Sequence, residues 1–233
     1  MPVSKVFNGD CVAYMRTIPD NFFDIAIADP PYGMGNERFG GRFEKYNNGS
    51  RHVEWDTSPS QEYFDELFRV SRNQVIWGGN YFTLPPTRCF LIWHKTAVAP
   101  AFSQAEYAWT SFSANSDVFE CMPHRNRNVS GGFHPTEKPI KLYSWVINKF
   151  AKEGDKIFDP NMGSQTSRVA AYLNGYDYYG CEINEDYFNK GCDFFDKIIN
   201  GISKDADGNI VSVQPSLFTI SLLNYATMAQ QYY

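Results

Sequence analysis

The feature that most constrains this chain is an apolar run that ends abruptly at two prolines. Residues 22–28 (FFDIAIA) are almost continuously apolar, which is typical of a strand buried on both faces of a parallel sheet. Asp29, Pro30, Pro31 and Tyr32 follow, and the prolines end the strand and fix the backbone. Because ligands of open α/β sheets bind beyond the carboxyl ends of the strands, this tetrapeptide is placed for chemistry.

Strand-like and helix-like segments alternate along most of the chain. Apolar residues at helical spacing predict helices over 59–70, 139–150, 167–173 and 185–199. Short apolar runs predict strands over 74–77, 89–93, 105–112, 156–158 and 177–181. This alternation predicts an α/β fold with a mostly parallel sheet. We expect one domain over 1–200 and a C-terminal tail over 201–233.

Composition excludes several classes of protein. Of the 233 residues, 43% are hydrophobic and 20% are charged, which fits a globular domain. No run of 18 apolar residues occurs, and the first residues lack an apolar signal core, so we expect a cytoplasmic protein without membrane contact. The five cysteines are scattered, without a C-x-x-C pair or an H-E-x-x-H helix. They are therefore expected to be reduced thiols, with no metal site.

Charge is distributed unevenly along the chain. The net charge is −5, but residues 121–149 carry +4 and residues 33–52 carry +2, whereas residues 177–209 carry −5. Basic segments of this kind fit contact with a phosphate backbone, and they also fit a merely solvated surface. Charge alone leaves both interpretations open.

A second motif occupies residues 158–166 (FDPNMGSQT), between a predicted strand and a predicted helix. Gly163 permits close approach of a ligand to the backbone, and the N-terminus of the following helix favours negatively charged groups. Glu182 follows Asp159 by 23 residues. This is the spacing at which an acid meets ribose hydroxyls in nucleotide-binding βαβ units.

A third motif, residues 134–139 (HPTEKP), precedes a predicted helix. It supplies the hydroxyl of Thr136 and the ammonium of Lys138, which suit the carboxylate of an amino acid. Taken as isolated residues, they are more typical of a capped helix entrance.

The identity and order of the three motifs resemble the amino-methylating DNA methyltransferases that use S-adenosylmethionine, in the β arrangement. The family pattern is D-P-P-Y, then H-P-T-x-K-P, then F-D-P-x-x-G-S-G-T, and the resemblance covers about residues 5–195. It implies a circularly permuted, Rossmann-like sheet of seven mostly parallel strands, one of them reversed, with helices on both faces. It also implies site-specific methylation of a flipped adenine in double-stranded DNA, associated with a phage or a restriction-modification system.

The resemblance also implies roles for individual residues. The catalytic residues would be Asp29, Pro30, Pro31 and Tyr32, with the base stacked on Tyr32 and its amino group held by Asp29 and the Pro30 carbonyl. D-P-P-Y points to N6 of adenine, whereas S-P-P-Y would point to N4 of cytosine. The implied cofactor-binding residues are Asp10, Cys11, Asp29, His134, Thr136, Lys138, Phe158, Asp159, Asn161, Gly163, Ser164 and Glu182.

Two positions depart from the family pattern. Gln165 stands where the family has glycine, and Asn161 stands where phenylalanine or a similar residue is common. A side chain at Gln165 is expected to crowd the turn that approaches the cofactor.

The irregular segments 33–57 and 113–133 are the expected sites of base recognition. The DNA-binding candidates in them are Arg38, Arg42, Arg51, Arg125 and Arg127. Because both segments are short, we hypothesise that a homodimer spans the duplex. In the tail, residues 214–218 (QPSLF) resemble the Q-L-S-L-F peptide that docks on the bacterial sliding clamp. Gln214, Leu217 and Phe218 would make that contact, and a chance match packed on the domain is the alternative.

Other functions stay open at this point. Within the same chemistry, the alternatives are methylation of cytosine N4, of RNA, or of a protein glutamine amide. A catalytically lapsed DNA-binding or clamp-binding module of the same fold is an alternative of another class. A nicotinamide dehydrogenase is disfavoured because G-x-G-x-x-G is missing near the start of the chain.

Overall fold

The computed structural model describes residues 1–33, 57–96, 98, 103–122, 133–134, 136–204 and 210–213. The strands in these ranges are β1 (Ser4–Asn8), β2 (Phe23–Ala28), β3 (Ser71–Trp77), β4 (Phe90–Lys95), β5 (Ala105–Thr110), β6 (Asp117–Cys121), β7 (Lys156–Asp159), β8 (Asp177–Glu182), β9 (Ile202–Lys204) and β10 (Ile210–Val213). The helices are α1 (Cys11–Arg16), α2 (Gln61–Val70), a 3₁₀ turn (Gly79–Tyr81), α3 (Ile140–Phe150), α4 (Thr166–Leu173), α5 (Glu185–Phe195) and a π-helical turn (Asp196–Asn200).

Eight strands form one mixed sheet in the order β1-β8-β7-β2-β3-β5-β4-β6, and β9 and β10 form a separate antiparallel ribbon. Within the sheet, β5 is antiparallel to its neighbours β3 and β4, and every other pairing is parallel. The expected parallel sheet with one reversed strand is therefore confirmed. The expected number of seven strands is wrong, because the described residues form eight.

Two strands of the sheet, β1 and β6, were not among those that the sequence pattern predicted, and the one that contradicts an expectation is β6. It falls within 113–133, which we expected to be irregular, and it pairs with β4 at the edge of the sheet. Its residues alternate between half-buried and exposed, and Val118 is 53% exposed. An edge strand buries little apolar surface, so its sequence lacks the continuous apolar run of a central strand. The ribbon of β9 and β10 was also not predicted, because it lies within residues 201–233, which we expected to form a tail.

Helices cover both faces of the sheet, as expected. On one face, α1 and α2 bury Met15 and Leu67 against Phe23 and Phe158, whose rings stack with centroids 4.4 Å apart. On the other face, residues of α3, α4 and α5 pack on a second cluster that includes Trp77 of β3. Burial on both faces accounts for the continuous apolar runs of the central strands.

The order in which the chain adds strands to the sheet changes direction between β7 and β2. These strands are adjacent and parallel, but the chain continues from β7 to β8 on one side and from β2 to β3 on the other. Such a switch point opens a crevice at the carboxyl ends of the strands. Asp29 follows β2 and Asp159 ends β7, so two motifs that are distant in sequence meet at this crevice. Because β7 comes late in the chain, the arrangement is the permuted one.

Candidate active site

Asp29 and Tyr32 are joined by a hydrogen bond at the carboxyl end of β2. The Tyr32 hydroxyl donates to Asp29 Oδ1 over 2.8 Å. Burial, with the negative charge of Asp29 second, raises the pKa of Tyr32 well above its usual value, so the hydroxyl keeps its proton and remains a donor. The side chain of Asp29 is only 15% exposed.

The ring of Tyr32 is held by the end of β3 and by a second aromatic ring. Gly78 has a φ of +68°, and a Cβ there would lie 2.2 Å from Cε1 of Tyr32, so only glycine fits beneath the ring. The ring of Tyr81 stacks on Tyr32, with centroids 5.0 Å apart and an interplanar angle of 24°. The position of Tyr32 is therefore fixed before any ligand binds.

Lys138 lies behind Asp29 in a buried array of alternating charges. Its ammonium donates to Asp29 Oδ2 and lies 3.3 Å from Glu106 Oε2, and Lys95 forms an ion pair with the other oxygen of Glu106. The side chain of Lys138 is only 3% exposed. The ammonium is thus engaged by two carboxylates of the protein, and the contact of Lys138 with the cofactor's carboxylate stays a prediction.

The ion pairs of the array keep Lys138 and Glu106 charged. Burial by itself would lower the pKa of Lys138, but the attraction of Asp29 and Glu106 outweighs it and the pKa is raised. Burial by itself would raise the pKa of Glu106, but Lys138 and Lys95 outweigh it and the pKa is lowered. Lys138 is therefore a fixed cation and cannot act as a base near neutral pH.

A cleft of about 250 Å³ lies beside Pro31, at the carboxyl ends of β2, β7 and β8. Its walls are formed by Gly9, Asp10, Cys11, Pro31, Thr57, Pro160, Asn161, Glu182 and Ile183. Pro31 of the first motif and Glu182 at the end of β8 thus share one cleft. Burial, with Asp10 second, raises the pKa of Cys11 to about 12, so this thiol stays protonated and is not a nucleophile.

The carboxylate of Glu182 is held by backbone donors. Gly163 N donates to Oε2 over 2.8 Å and Asn184 N donates to Oε1 over 2.9 Å. Burial raises the pKa of Glu182, and these hydrogen bonds partly offset the effect. Each oxygen retains a lone pair, so the side chain can still accept hydrogen bonds from a diol. The neighbouring Ile183 is 67% exposed and offers an apolar surface at the same wall.

Two residues of the second motif face inward instead. Phe158 is fully buried in the core, stacked on Phe23. The carboxylate of Asp159 accepts from Ser167 Oγ over 2.6 Å and from Asn161 N over 2.9 Å. These two side chains therefore support the loop from beneath, and the role of Phe158 and Asp159 in binding the cofactor stays a prediction.

The loop that carries Gly163 is held from two sides. Asn161 accepts a hydrogen bond from Tyr63 of α2 over 2.6 Å. The ring of His134 lies 3.0 Å from where a Cβ on Gly163 would stand, and packs edge-on against Tyr187. Burial, with Lys138 second, lowers the pKa of His134 to about 4, so the imidazole is neutral near pH 7. Ser164 is buried beneath the loop.

We expected the side chain of Gln165 to crowd the turn that approaches the cofactor, but it does not. Its backbone is left-handed, with a φ of +61°, which explains why glycine is common at this position in the family. Its side chain points away from the cleft: Nε2 donates to Phe188 O over 2.9 Å, and Oε1 accepts from Arg168 over 2.8 Å. A Cβ on Gly191 of α5 would lie 2.6 Å from Gln165, so the two residues fit as a pair.

Several predicted residues lie outside the described part of the chain. They are Arg38, Arg42, Arg51, Arg125, Arg127, Gln214, Leu217 and Phe218. Of the third motif, the described residues show Thr136 Oγ1 at 3.4 Å from His134 Nδ1. Among the described residues, no group of three or more His, Cys, Asp or Glu side chains could hold a metal ion, and no helix has the length and apolar character of a membrane span.

Three residues of the site escaped the sequence analysis. Glu106 belongs to the alternating strand β5, where nothing in the sequence marks one acid as facing inward. Tyr81 lies in a turn, without a motif. Ile183 could have been found, because an apolar residue directly after a ribose-binding acid, at the carboxyl end of a strand, is placed to meet a ring.

Comparisons with known proteins find similar methylases. A family model for N6_N4_Mtase, described as a DNA methylase, matches residues 92–191. The Escherichia coli (strain K12) protein named "Putative methylase YubD" is 28% identical over 209 residues, covering 81% of this chain and 88% of that protein. The solved M1.HpyAVI-SAM complex has a TM-score of 0.53 at 17% identity, covering 82% of this chain and 98% of the other. PvuII DNA methyltransferase (cytosine-N4-specific) has a TM-score of 0.58 at 14% identity, covering 97% and 93%.

The fold is Rossmann-like and is shared with solved DNA methyltransferase structures. In sequence, the chain is similar to the DNA methylase family over residues 92–191, and to the Escherichia coli protein named above over 81% of its length. The matched range contains the second and third motifs and Glu182, whereas Asp29 to Tyr32 lie before it.

Proposed function

We propose that this chain transfers a methyl group from S-adenosylmethionine to N6 of an adenine flipped out of double-stranded DNA. The observation that carries the proposal is that Pro31 and Glu182 line one cleft at the switch point of the sheet. An amino-gripping motif and a ribose-binding acid therefore lie within reach of one bound cofactor and one base. The described residues contain no group of three or more His, Cys, Asp or Glu side chains that could hold a metal ion, and burial keeps the Cys11 thiol of the cleft protonated; the proposed reaction needs neither a metal ion nor a nucleophilic thiol.

The residues of the cleft fit the chemistry of S-adenosylmethionine. Glu182 accepts from the ribose hydroxyls, and Asp10 lies near the adenine end. Ile183 provides the apolar surface against which a flat ring packs. Gly163 lets the backbone approach the cofactor closely. Cys11 and Asn161 complete the wall, and Thr136 is our candidate for the amino-acid carboxylate.

The chain's own residues position the acceptor amine. Asp29 and the Pro30 carbonyl accept the two amino hydrogens, and these hydrogen bonds raise the electron density on the nitrogen. Tyr32 supports the ring of the flipped base by stacking on it. When bound, the cofactor supplies an electrophilic methyl carbon in line with that nitrogen. Since the amine loses its proton only after attack, Asp29 need not be a strong base, and catalysis rests on positioning and electrostatics.

Adenine is proposed over cytosine because the first motif begins with Asp29. Cytosine N4 is the second candidate, since the solved structure with a TM-score of 0.58 is described as cytosine-N4-specific. Recognition of sequence would fall to residues 33–57 and 113–133 and their arginines. A restriction-modification context, a homodimer and a sliding-clamp contact remain predictions from the sequence.

The test is transfer of labelled methyl groups to unmethylated genomic DNA, followed by mass spectrometry of the nucleosides, with Asp29→Ala as the blank. N6-methyladenine is the expected product. N4-methylcytosine would overturn the choice of base and keep the chemistry. No transfer, together with no cofactor binding by calorimetry, would overturn the proposed function in favour of a DNA-binding or clamp-binding module.

A further inference from the structure

The charged array behind Asp29 is not explained by the binding of cofactor or base. It runs from Lys95 through Glu106 and Lys138 to Asp29, and joins β4, β5, the segment before α3 and the end of β2. Two cations and two anions alternate, so the array has no net charge. Burying charges is costly unless they are paired, and here each carboxylate and Lys138 have an opposite charge on at least one side.

Lys138 is in the wrong place to meet a ligand in the cleft. Its side chain is only 3% exposed, and it is not part of the wall that the described residues form. The ammonium lies 5.5 Å from the centroid of the Trp77 ring and 3.5 Å from the Tyr32 hydroxyl. Aromatic rings and carboxylates surround it, and Asp29 occupies the side that leads to the first motif.

We infer that Lys138 is a positioning residue for Asp29, and that Glu106 positions Lys138 in turn. The inference rests on the proposed function, in which Asp29 grips the amino group. Lys138 binds Oδ2 while the Tyr32 hydroxyl binds Oδ1, so the carboxylate cannot rotate and presents its remaining lone pairs in fixed directions. Glu106 anchors the ammonium to β5, the reversed strand of the sheet, and Lys95 anchors Glu106.

This role differs from the one expected of the third motif, and ligand chemistry distinguishes the two. A lysine that binds the cofactor's carboxylate would contribute affinity only for ligands that have that carboxylate. A lysine that positions Asp29 would leave such affinities unchanged and would lower turnover. S-adenosylhomocysteine carries the carboxylate, and 5′-methylthioadenosine lacks it while sharing the nucleoside.

The experiment measures the Kd of both ligands by calorimetry, and kcat at saturating S-adenosylmethionine, for the wild type, Lys138→Met, Lys138→Arg and Glu106→Gln. We expect the ratio of the two Kd values to stay within about threefold of the wild type in all variants. We expect kcat to fall by about 10²-fold in Lys138→Met and by about 10-fold in Glu106→Gln, as misplacement of a reacting group produces. Lys138→Arg should recover part of the loss.

The inference is overturned if Lys138→Met weakens the binding of S-adenosylhomocysteine more than tenfold without weakening the binding of 5′-methylthioadenosine. It is also overturned if kcat is unchanged in both Lys138→Met and Glu106→Gln. Lys149→Met is the matched control, because it removes a lysine paired with Asp117 over 2.6 Å on the far edge of the sheet. Its kcat should stay at the wild-type value.

Two precautions keep the result interpretable. Lys138→Met leaves two buried carboxylates close together, so thermal unfolding is measured for each variant. If this variant does not fold, the nearly isosteric Glu106→Gln and the charge-conserving Lys138→Arg decide the question by the same criteria. A wild-type protein without transfer would overturn the proposed function, and the ratio of the two Kd values would still decide where Lys138 acts.

Discussion

Asp29 is the residue on which the proposed chemistry depends most directly. Lys138 and Tyr32 each form a hydrogen bond with one oxygen of Asp29. Neither of these two residues belongs to the wall of the cleft. Asp29→Ala should therefore lower kcat by at least about 10³-fold, because the amino group loses a charged acceptor. The Kd of S-adenosylmethionine should change by less than about threefold.

Steady-state kinetics and calorimetry on the purified variant check this prediction. Asp20→Ala is the control, since it removes an exposed carboxylate that pairs only with Arg69 among the contacts described. If Asp29→Ala retains turnover within tenfold of the wild type, Asp29 is not the residue that holds the amine.

Gly78 offers a second prediction, which concerns the placement of Tyr32. Gly78→Ala places a Cβ in a left-handed conformation and 2.2 Å from the Tyr32 ring, which must move. Gly175→Ala has a similar strain, with a φ of +84°, but nothing lies within 4 Å of its Cβ. Both variants should lose about 1 kcal/mol from the backbone conformation. Only Gly78→Ala should also lose about 10²-fold in kcat.

Urea unfolding and kinetics on the two alanine variants separate these effects. Equal kcat values in both variants would show that catalysis does not need the ring of Tyr32 where β3 now holds it.

The sequence analysis proposed the residues of this site more readily than it proposed which residues they contact. Asp29, Tyr32 and Glu182 were identified because each directly follows or ends a strand, which is a local property of the chain. The contact between Lys138 and Glu106 was not predicted, because Glu106 reaches the lysine from β5, a strand far away in sequence. No local pattern encodes a contact of that kind.

At the level of elements, α4 and α5 meet through Gln165 and Gly191. Gly191→Ala would normally stabilise the interior of a helix by about 1 kcal/mol. In this chain it should cost about 1–3 kcal/mol, because the new Cβ meets the buried Gln165 side chain at 2.6 Å. In a Gln165→Gly background the clash disappears, and Gly191→Ala should become neutral or stabilising.

A double-mutant cycle with urea unfolding measures this change of sign. If Gly191→Ala has the same effect in both backgrounds, the two residues are not coupled, and the departure from glycine at position 165 needs another explanation.

The same contrast between local and distant information holds for the elements. The helix predicted over 139–150 is α3 (Ile140–Phe150), because its apolar spacing and Pro139 are local signals. β6 was missed because an edge strand alternates with exposed residues and has no apolar run. The helix predicted to continue to residue 199 instead ends at Phe195 and is followed by a π-helical turn.

For the whole molecule, the order of the motifs predicted the topology, and the number of strands could not be predicted. Motif order fixes which strand ends must meet, since both motifs serve one crevice. The further strand, β6, is added at the edge of the sheet by pairing with β4. The central strands do not require this pairing, so their sequence does not predict it.

The stability of the whole domain should depend on pH through Asp159. Burial raises its pKa from 3.8 to about 7, and its hydrogen bonds with Ser167 and Asn161 only partly offset the effect. Between these pH values the unfolded chain has released this proton and the folded chain has not. The folded state is therefore stabilised at low pH and loses that advantage as the pH rises to about 7. Asp159→Asn, which cannot ionise, removes this dependence.

The free energy of unfolding of the wild type, relative to Asp159→Asn, should fall by up to about 4 kcal/mol between about pH 4 and about pH 7, and then level off. Taking the difference cancels the contributions of groups common to both proteins, including His134 and Glu182. Urea unfolding in steps of about one pH unit measures it. A difference that stays constant, or that rises with pH, would mean that Asp159 is ionised in the folded protein throughout, held as an anion beneath the cleft by Ser167 and the backbone of Asn161.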